Sequence, residues 1–541
     1  MGALGSRPLS AGVSVQALRA WLADATGQNV DMVETHISWV LLTPRLAFKL
    51  KKPVRLSFVD FSTLQARKHF CDEELRLNKR LAPSLYLRVL SVRGTPSQPR
   101  IGGGGEPIDH VVCMRRFPDS ALLRDLVVND VVVGAAGMLD SFAQRLASFH
   151  ARVERAAADS AFGEPAQIMR AMHEVLSALP TDAEGAIADR LAKLRAWTQD
   201  RAQALQPAWQ ARRLAGAVRE CHGDLHLANI VRLDGELTAF DCIEFDPALR
   251  WIDVMSDVAF LTMDLAAHHR PRLAFRFLDA WLQHSGDYAG MAVFRFYEVY
   301  RSLVRALASS PAARHGGMQD VPDYIATAER LTQSAQGGPR LLITYGFSGS
   351  GKSSVALRLL QGAGAIRIRS DVERKRLFGL DALARSSGHG IDLYADEVTR
   401  RTFDHLQSSA AAVLRAGYPV IVDAAFLGGE QRRAFRALAS SLGVPFAILH
   451  CRAAEATLRQ RVARRTALDN DASDADLDVL ERQLATHEPL SAEERAMTFD
   501  VCTDVDVDVD ADADIEADIA ALCARWQGRH SPADQWSSVR K

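Results

Sequence analysis

Hydrophobic positions along this chain change period from segment to segment, and the period predicts the element. Residues 14–24 put Val15, Leu18, Trp21 and Leu22 on one side of a helix. Residues 37–42 and 46–50 are strand-like runs around a turn at Thr43-Pro44. Residues 62–81 read as a helix, with Ser62 and Gln65 spaced as a capping box. Residues 84–92 and 111–114 are further strands, and the glycine run Gly102 to Gly105 between them reads as a flexible hairpin connection. From Ala121 to about Leu331 the pattern is mostly helical. The exception is the block 220–246, where two short strands flank the turn Asp234-Gly235. Residues 309–318 and 336–339 are loop-like, which places a domain boundary near Gly337. Beyond it, short apolar runs at 341–345, 365–369, 420–422, 446–451 and 499–501 alternate with helical stretches. That alternation predicts a doubly wound α/β fold with a parallel sheet. Asp504, Asp506, Asp508, Asp510, Asp512 and Asp514 alternate with Val and Ala without the Gly or closing Glu of a calcium loop, so they read as a solvated low-complexity connection.

Composition bounds this picture. A chain of 541 residues exceeds one ordinary core, so at least two domains are expected. The net charge of -1 provides no global field for nucleic acid or an anionic membrane. No apolar run reaches about 18 residues and no apolar signal core opens the chain. Met1-Gly2 with Ser6 fits a myristoylation pattern, but no second membrane signal accompanies it. The seven cysteines form no C-x-x-C, and their odd number suits reduced thiols. The expectation is a cytoplasmic protein with small-molecule partners, no nucleic acid and no membrane. Arginine is the default cation, so the retained Lys352 and the cluster Lys49, Lys51 and Lys52 stand out.

The clearest chemistry follows the run 341–345. Gly346, Gly351, Lys352 and Ser353 fit G-x-x-x-x-G-K-[ST] between a buried strand and a helix. The loop Ser348, Gly349, Ser350 and Gly351, with Ser354 after it, can turn successive N–H groups toward one anion at a helix N-terminus. Lys352 would reach the outer phosphates of ATP, and the Ser353 hydroxyl would ligate Mg²⁺. Asp371 ends the second strand of this part, where it is either a base for an acceptor hydroxyl or the N-cap of the next helix. Asp423 ends an apolar strand as a Walker-B-like acid for the Mg²⁺ shell. Arg461, Arg464 and Arg465 share a later helix as candidate phosphate-neutralising groups or as a solvated basic face.

A second set lies upstream, in His222-Gly223-Asp224 with Asn229 and Asp241. Asp224 can accept a hydroxyl proton, while Asn229 and Asp241 can hold metal. The order resembles the H-R-D-x-x-x-x-N and D-F-G elements of protein kinases, with Gly223 in place of Arg. It is closer to the aminoglycoside phosphotransferase and choline kinase branch. That resemblance covers roughly residues 14–333. It implies a strand Lys paired with a helix Glu, here Lys49 with Glu74, Lys51 and Glu73 being the rivals. It also implies a hinge at residues 114–118, where Met114 lines the adenine pocket. No G-x-G-x-x-G precedes Lys49; Thr35-His36-Ile37-Ser38 stands there instead. Asp253 and Asp257 read as braces of the catalytic loop.

The part after Gly337 resembles small-molecule P-loop kinases of the gluconate kinase and zeta-toxin type. The whole arrangement resembles the bacterial bifunctional aminoglycoside phosphotransferase-like/P-loop ATP-binding kinase proteins, through residues 35–40, 70–78 and 240–245. The resemblance implies an α+β, bilobal protein-kinase-like domain over 1–335, with lobes about 14–117 and 118–335. An α/β P-loop domain over 336–541 follows. Two Mg-ATP phosphotransfer sites acting on small hydroxylated metabolites are the expected function. The alternative is a nucleotide-gated regulator in which the first domain senses a ligand or modifies a partner protein and only the second is a kinase.

Overall fold

The computed structural model describes residues 12–56, 59–129, 131, 136–179, 186–310, 321–333, 338–382, 395–468, 472–504 and 513–528. The myristoylation pattern, the loop at 311–318, the boundary at Gly337 and most of the Asp-rich alternation lie outside them.

The chain forms two compact units. One comprises Met1–Met138, Phe149–His268 and Tyr297–Ala328; the other comprises Leu139–Ser148, His269–Phe296 and Glu329–Lys541.

The first unit opens with α1 (Val15–Thr26), capped by the Ser14 hydroxyl and stopped by Gly27 at φ 65°. Strands β1 (Asp31–Glu34), β2 (Ser38–Leu42) and β3 (Leu46–Lys51) follow as an antiparallel meander. A small hairpin of β4 (Arg55–Leu56) and β5 (Val59–Asp60) leads to α2 (Leu64–Asn78). Thr63, not Ser62, caps α2: its hydroxyl accepts from Ala66 N at 3.1 Å, while Ser62 donates to Asp60. Strands β6 (Tyr86–Thr95), β7 (Gln98–Ile101) and β8 (Pro107–Arg115) complete a six-stranded sheet of order β1-β2-β3-β8-β6-β7. Gly102 to Gly105 make the connection between β7 and β8. The two-residue period of β3 sends Phe48 and Leu50 into a cluster with Leu18 and Leu22 of α1. Ala47 joins Cys71 of α2 on the other face, and Lys49 and Lys51 share that parity.

Helices α3 (Leu123–Val128), α4 (Ala136–Arg152), α5 (Pro165–Ala178) and α6 (Ala186–Leu214) come next. Strand β9 (Val218–Glu220) precedes the hairpin β10 (Ile230–Leu233) and β11 (Glu236–Ala239). After α7 (Pro247–Arg250), β12 (Trp251–Asp253) returns to pair with β9. Helix α8 (Val254–Ala267) is buried along nearly its whole length. Helices α9 (Pro271–Ser285), α10 (Met291–Ala308) and α11 (Tyr324–Thr332) close this part of the sequence.

The second unit is built on a parallel sheet of β13 (Leu341–Tyr345), β14 (Ile366–Arg369), β15 (Val420–Asp423), β16 (Phe446–Arg452) and β17 (Thr498–Cys502). Its order is β14-β15-β13-β16-β17, and every pairing is parallel. The helices after β13 are α12 (Lys352–Ala363), α13 (Ser370–Leu377), α14 (Asp396–Arg415) and α15 (Gly429–Ser441). They continue with α16 (Glu455–Leu468), α17 (Leu477–Thr486), α18 (Ala492–Ala496) and α19 (Ala513–Trp526). Leu342, Ile421 and Leu449 of the sheet form one core with Val355 and Leu359 of α12 and Leu522 and Trp526 of α19.

The sequence pattern assigns α9 to the first domain, yet it belongs to the second unit. It packs against α12 and β14. Within the same unit Phe277 stacks on Phe142 at a centroid distance of 6.2 Å, and Arg276 grips Asp140 at 2.7 Å. Shared burial decides membership here, and helical periodicity carries no record of which sheet a helix covers.

Candidate active sites

In the first unit a cavity of about 530 Å³ is lined by Thr35, His36, Lys49, Met114, Asp224 and Asp241, among others. Lys49 reaches it from the middle of the sheet. Its Nζ lies 2.9 Å from Glu74 Oε1 and 2.6 Å from Asp241 Oδ1. Lys51 meets the other oxygen of the same glutamate at 2.7 Å and also contacts Glu244. The rivals of the sequence reading therefore both pair with Glu74, one per carboxylate oxygen. They differ in access: Lys49 lines the cavity, and Lys51 is fully buried. Glu73 turns away, to Arg76 at 2.9 Å.

Burial works against every charge in this cluster, and the partners decide the outcome. The two lysines outweigh it at Glu74, whose carboxyl is pulled down to about 2. Asp241 and Glu74 outweigh it at Lys49, which is held well above the usual lysine range. At Glu244 burial prevails, aided by the neighbouring Glu74 charge, and the carboxyl is pushed up.

The loop that carries His222, Gly223 and Asp224 runs from β9 to β10. Gly223 sits at φ 86°, and a Cβ there would lie 2.6 Å from Leu249 O, so the position admits only glycine without a shift. That explains Gly in place of the Arg of the protein-kinase pattern. Asp257 on α8 accepts from His222 N and Gly223 N, both at 2.8 Å. Burial opposes its charge, but His150, His222 and these bonds pull its carboxyl down to about 2. Asp253 faces elsewhere, capping α8 and pairing with Arg212 at 2.6 Å.

Asp224 is about a third exposed, with a side-chain exposure of 32%. Its Oδ2 accepts from Asn229 Nδ2 at 2.8 Å and lies 3.4 Å from His226 Nε2. Burial is outweighed by His226 and Arg305, which hold the Asp224 carboxyl well below the usual range. Asn229 sits behind Asp224 and outside the lining of the cavity. Asp241 adopts φ 62°, a left-handed backbone that Asp tolerates better than most residues.

Three supports of this loop carry no sequence motif. Asp264 accepts from Leu227 N at 2.9 Å, Arg301 donates to Gly223 O at 2.9 Å, and Arg305 Nη1 lies 3.2 Å from His226 Nε2. Arg301 and Arg305 are four apart on α10, so a cationic i,i+4 pair is the one signal that the sequence offered, on a helix that also carries Arg295 and Glu298.

In the second unit a larger cavity of about 760 Å³ is lined by Ser348, Gly349, Ser350, Gly351, Lys352, Ser353 and Ser354. Asp371, Asp423, Arg461, Arg464 and Arg465 line it too. Gly346 is not on its wall. A Cβ at Gly346 would lie 2.6 Å from Cys451 O, so this glycine serves close approach of the loop to β16. Gly351 occupies the N-cap of α12 at φ 74°. Lys352 Nζ donates to Phe347 O at 2.7 Å, and burial lowers its pKa. Ser348 N donates to Gln483 Oε1 at 2.8 Å.

Asp371 is not an N-cap. Arg369 holds that position, and Asp371 lies in the first turn of α13, with Arg374 at 3.4 Å. Asp423 is buried, and its Oδ2 makes no hydrogen bond. The cations near it are Arg369 Nε at 3.7 Å and Arg367 Nη1 at 3.9 Å. Arg461 and Arg465 donate to Thr503 O and Ala475 O, each at 2.6 Å. Among the described residues no helix is long and apolar enough to cross a membrane.

Comparisons with known proteins divide the chain in the same order. Residues 68–297 match the model of the phosphotransferase enzyme family, and residues 341–490 match an AAA domain model. An uncharacterized protein of Mycobacterium tuberculosis (strain H37Rv) is 31% identical over 447 residues, which is 82% of this chain and 88% of that protein. A Mycobacterium bovis protein matches with the same figures. Among solved structures, a gluconokinase from Sinorhizobium meliloti aligns at 22% identity over 35% of this chain and 95% of its own, with a TM-score of 0.26. An ethanolamine kinase of Plasmodium vivax aligns at 9% identity over 56% and 80%, with a TM-score of 0.31. With a kinase-like catalytic loop ahead of a P-loop sheet, and relatives that share nearly the whole arrangement, the chain belongs to the bacterial family that joins an aminoglycoside phosphotransferase-like domain to a P-loop ATP-binding kinase-like domain.

Proposed function

We propose that the protein transfers phosphoryl groups from ATP to small hydroxylated metabolites at two separate sites. The observation that carries this is the grouping of Lys49, Asp224 and Asp241 on one cavity, with Lys352, Asp371 and Asp423 on another. Each set supplies a cation for phosphates, an acid for metal and a carboxylate for a hydroxyl proton.

Mg²⁺ fits both donor sets. In the first, Asp241 offers hard oxygen ligands on the cavity wall, and Asn229 would add its carbonyl oxygen from behind Asp224. In the second, the buried Asp423 Oδ2 has no hydrogen-bond donor, as an oxygen reserved for a cation would. Ser353 lines the same cavity. When bound, the ion would neutralise charge on the phosphates.

The protein's own groups do the rest. Asp224, kept ionised by His226 and Arg305, accepts the acceptor's proton as its oxygen bonds to the γ-phosphorus. The bond from that phosphorus to the ADP oxygen breaks, and Lys49 holds the phosphates. Asp371 has the corresponding place in the second site, with Lys352 on the phosphates and Arg461, Arg464 and Arg465 around them. The adenine would rest against Met114 in the first cavity.

An ATP-consumption screen over a metabolite library with the full chain tests this reading. Acceptor-dependent ADP release, with a phosphorylated product, is expected. ATP binding at the first site without transfer to any small acceptor would favour the regulator alternative.

A further inference from the structure

Helix α9 lies within the stretch matched by the phosphotransferase family model, yet it packs in the second unit, on α12 and β14. It brings a buried carboxylate there. Asp279 grips Arg367 with both oxygens, at 2.7 and 3.2 Å. Gln283, one turn on, donates to Asp279 at 2.6 Å and accepts from Arg369 at 3.4 Å. Both arginines lie on β14, Arg367 opposite Ile421 and Arg369 opposite Asp423 at the end of β15. Arg367 also donates to Ser353 O at 2.9 Å. The side chains of Arg367, Asp279 and Asp423 are 5%, 4% and 3% exposed.

A guanidinium buried this deeply must keep a carboxylate partner. Two are within reach: Asp279 in a bidentate contact, and Asp423 at 3.9 Å. Only the first is satisfied, and Asp423 Oδ2 is left without a hydrogen bond. We infer that Asp279 is a positioning residue for the P-loop site: it holds Arg367 away from Asp423 and so keeps that carboxylate available to the Mg²⁺ of the bound nucleotide. The inference rests on the P-loop reading above. It adds that a helix from the other half of the sequence sets the metal affinity of this site. Without Asp279, Arg367 turns to Asp423 and competes with the cation. Loss of such an outer partner costs about 10–100-fold in metal affinity.

The test uses the full chain with the first site silenced by Lys49→Ala and Asp241→Ala. A fluorescent ADP analogue is titrated with Mg²⁺, and the Mg²⁺ midpoint of its signal is read. Asp279→Asn is expected to raise the midpoint about tenfold or more, with Mg²⁺-free nucleotide binding unchanged. Adding Arg367→Met to Asp279→Asn removes the competitor and should return the midpoint toward that of the parent. A purely structural role for Asp279 would not show that rescue. An unchanged midpoint in a folded Asp279→Asn protein, or no rescue in the double variant, overturns the inference. If the single variant fails to fold, the double variant decides alone: a parental midpoint supports the inference, and a raised one overturns it. Lys352→Ala in the same background reports on the reading beneath: if nucleotide binding survives it, the P-loop assignment falls first.

Discussion

The two sites handle charge in opposite ways. In the first, cations and acids already satisfy one another: Glu74 serves two lysines, and Asp241 holds Lys49 at 2.6 Å. In the second, the central groups are held apart. Lys352 is spent on a loop carbonyl, and Asp423 keeps a bare oxygen beside arginines anchored elsewhere. The first arrangement fixes a geometry through its own ion pairs. The second leaves charge to be completed by a ligand. A buried pair broken from one side is costly, whereas a buried group in want of a partner responds to whatever binds.

The sharpest way to break the comparison is at the chemistry. Asp224→Asn should lower one acceptor-dependent activity by about 10²–10⁴-fold, and Lys352→Ala should remove a different one. Turnover measured on each acceptor checks this, and loss of both activities from either change would mean a single site. Glu74→Gln comes next. It leaves two buried lysines sharing an uncharged partner, and destabilisation of about 3–5 kcal/mol is expected. Denaturant melts followed by hydrogen exchange at β3 would show it, with the amides of β13 unaffected. Gly223→Ala forces a Cβ toward Leu249 O at a left-handed φ, at a cost of about 1–3 kcal/mol. It should slow the first site's turnover and leave the second's intact.

Acid gives the mildest contrast. The Asp257 carboxyl is depressed to about 2 from 3.8, so its contribution is present above pH 4 and lost as pH falls toward 2. That amounts to roughly 2 kcal/mol. Glu74, depressed to about 2 from 4.5, acts in the same sense; Glu244, pushed up by burial, acts in the opposite one. Pepsin digestion stepped from pH 4.5 to 2 should therefore cut residues 222–257 before residues 341–345.

Much of both sites was legible because their chemistry needs fixed local spacing. A phosphate loop and an Asp–Asn–Asp set are short-range patterns, and both landed on cavity walls or directly behind them. What stayed hidden is non-local. Lys49 and Lys51 share a strand face, so spacing could not separate them; depth in the structure does. Ser62 and Thr63 both suit an N-cap, and only the backbone at the helix start tells them apart. Asp264, Arg301 and Arg305 reach the loop of Asp224 from helices far along the chain. Asp279 is one acidic residue on an amphipathic helix, and its meaning comes from Arg367, on a strand beyond the expected domain boundary.

The interrupted make-up of the second unit also bears on how the protein is made. Helix α9 leaves the ribosome well before β13, and its Phe277, Leu278, Trp281 and Leu282 are buried in the finished protein. At about 5–20 residues per second, α9 waits on the order of ten seconds for α12 and β14, on which it packs. A nascent chain stalled after α11 would already offer Phe142 to Phe277 but would lack α12 and β14, so α9 would be only partly covered until the second half of the chain emerges.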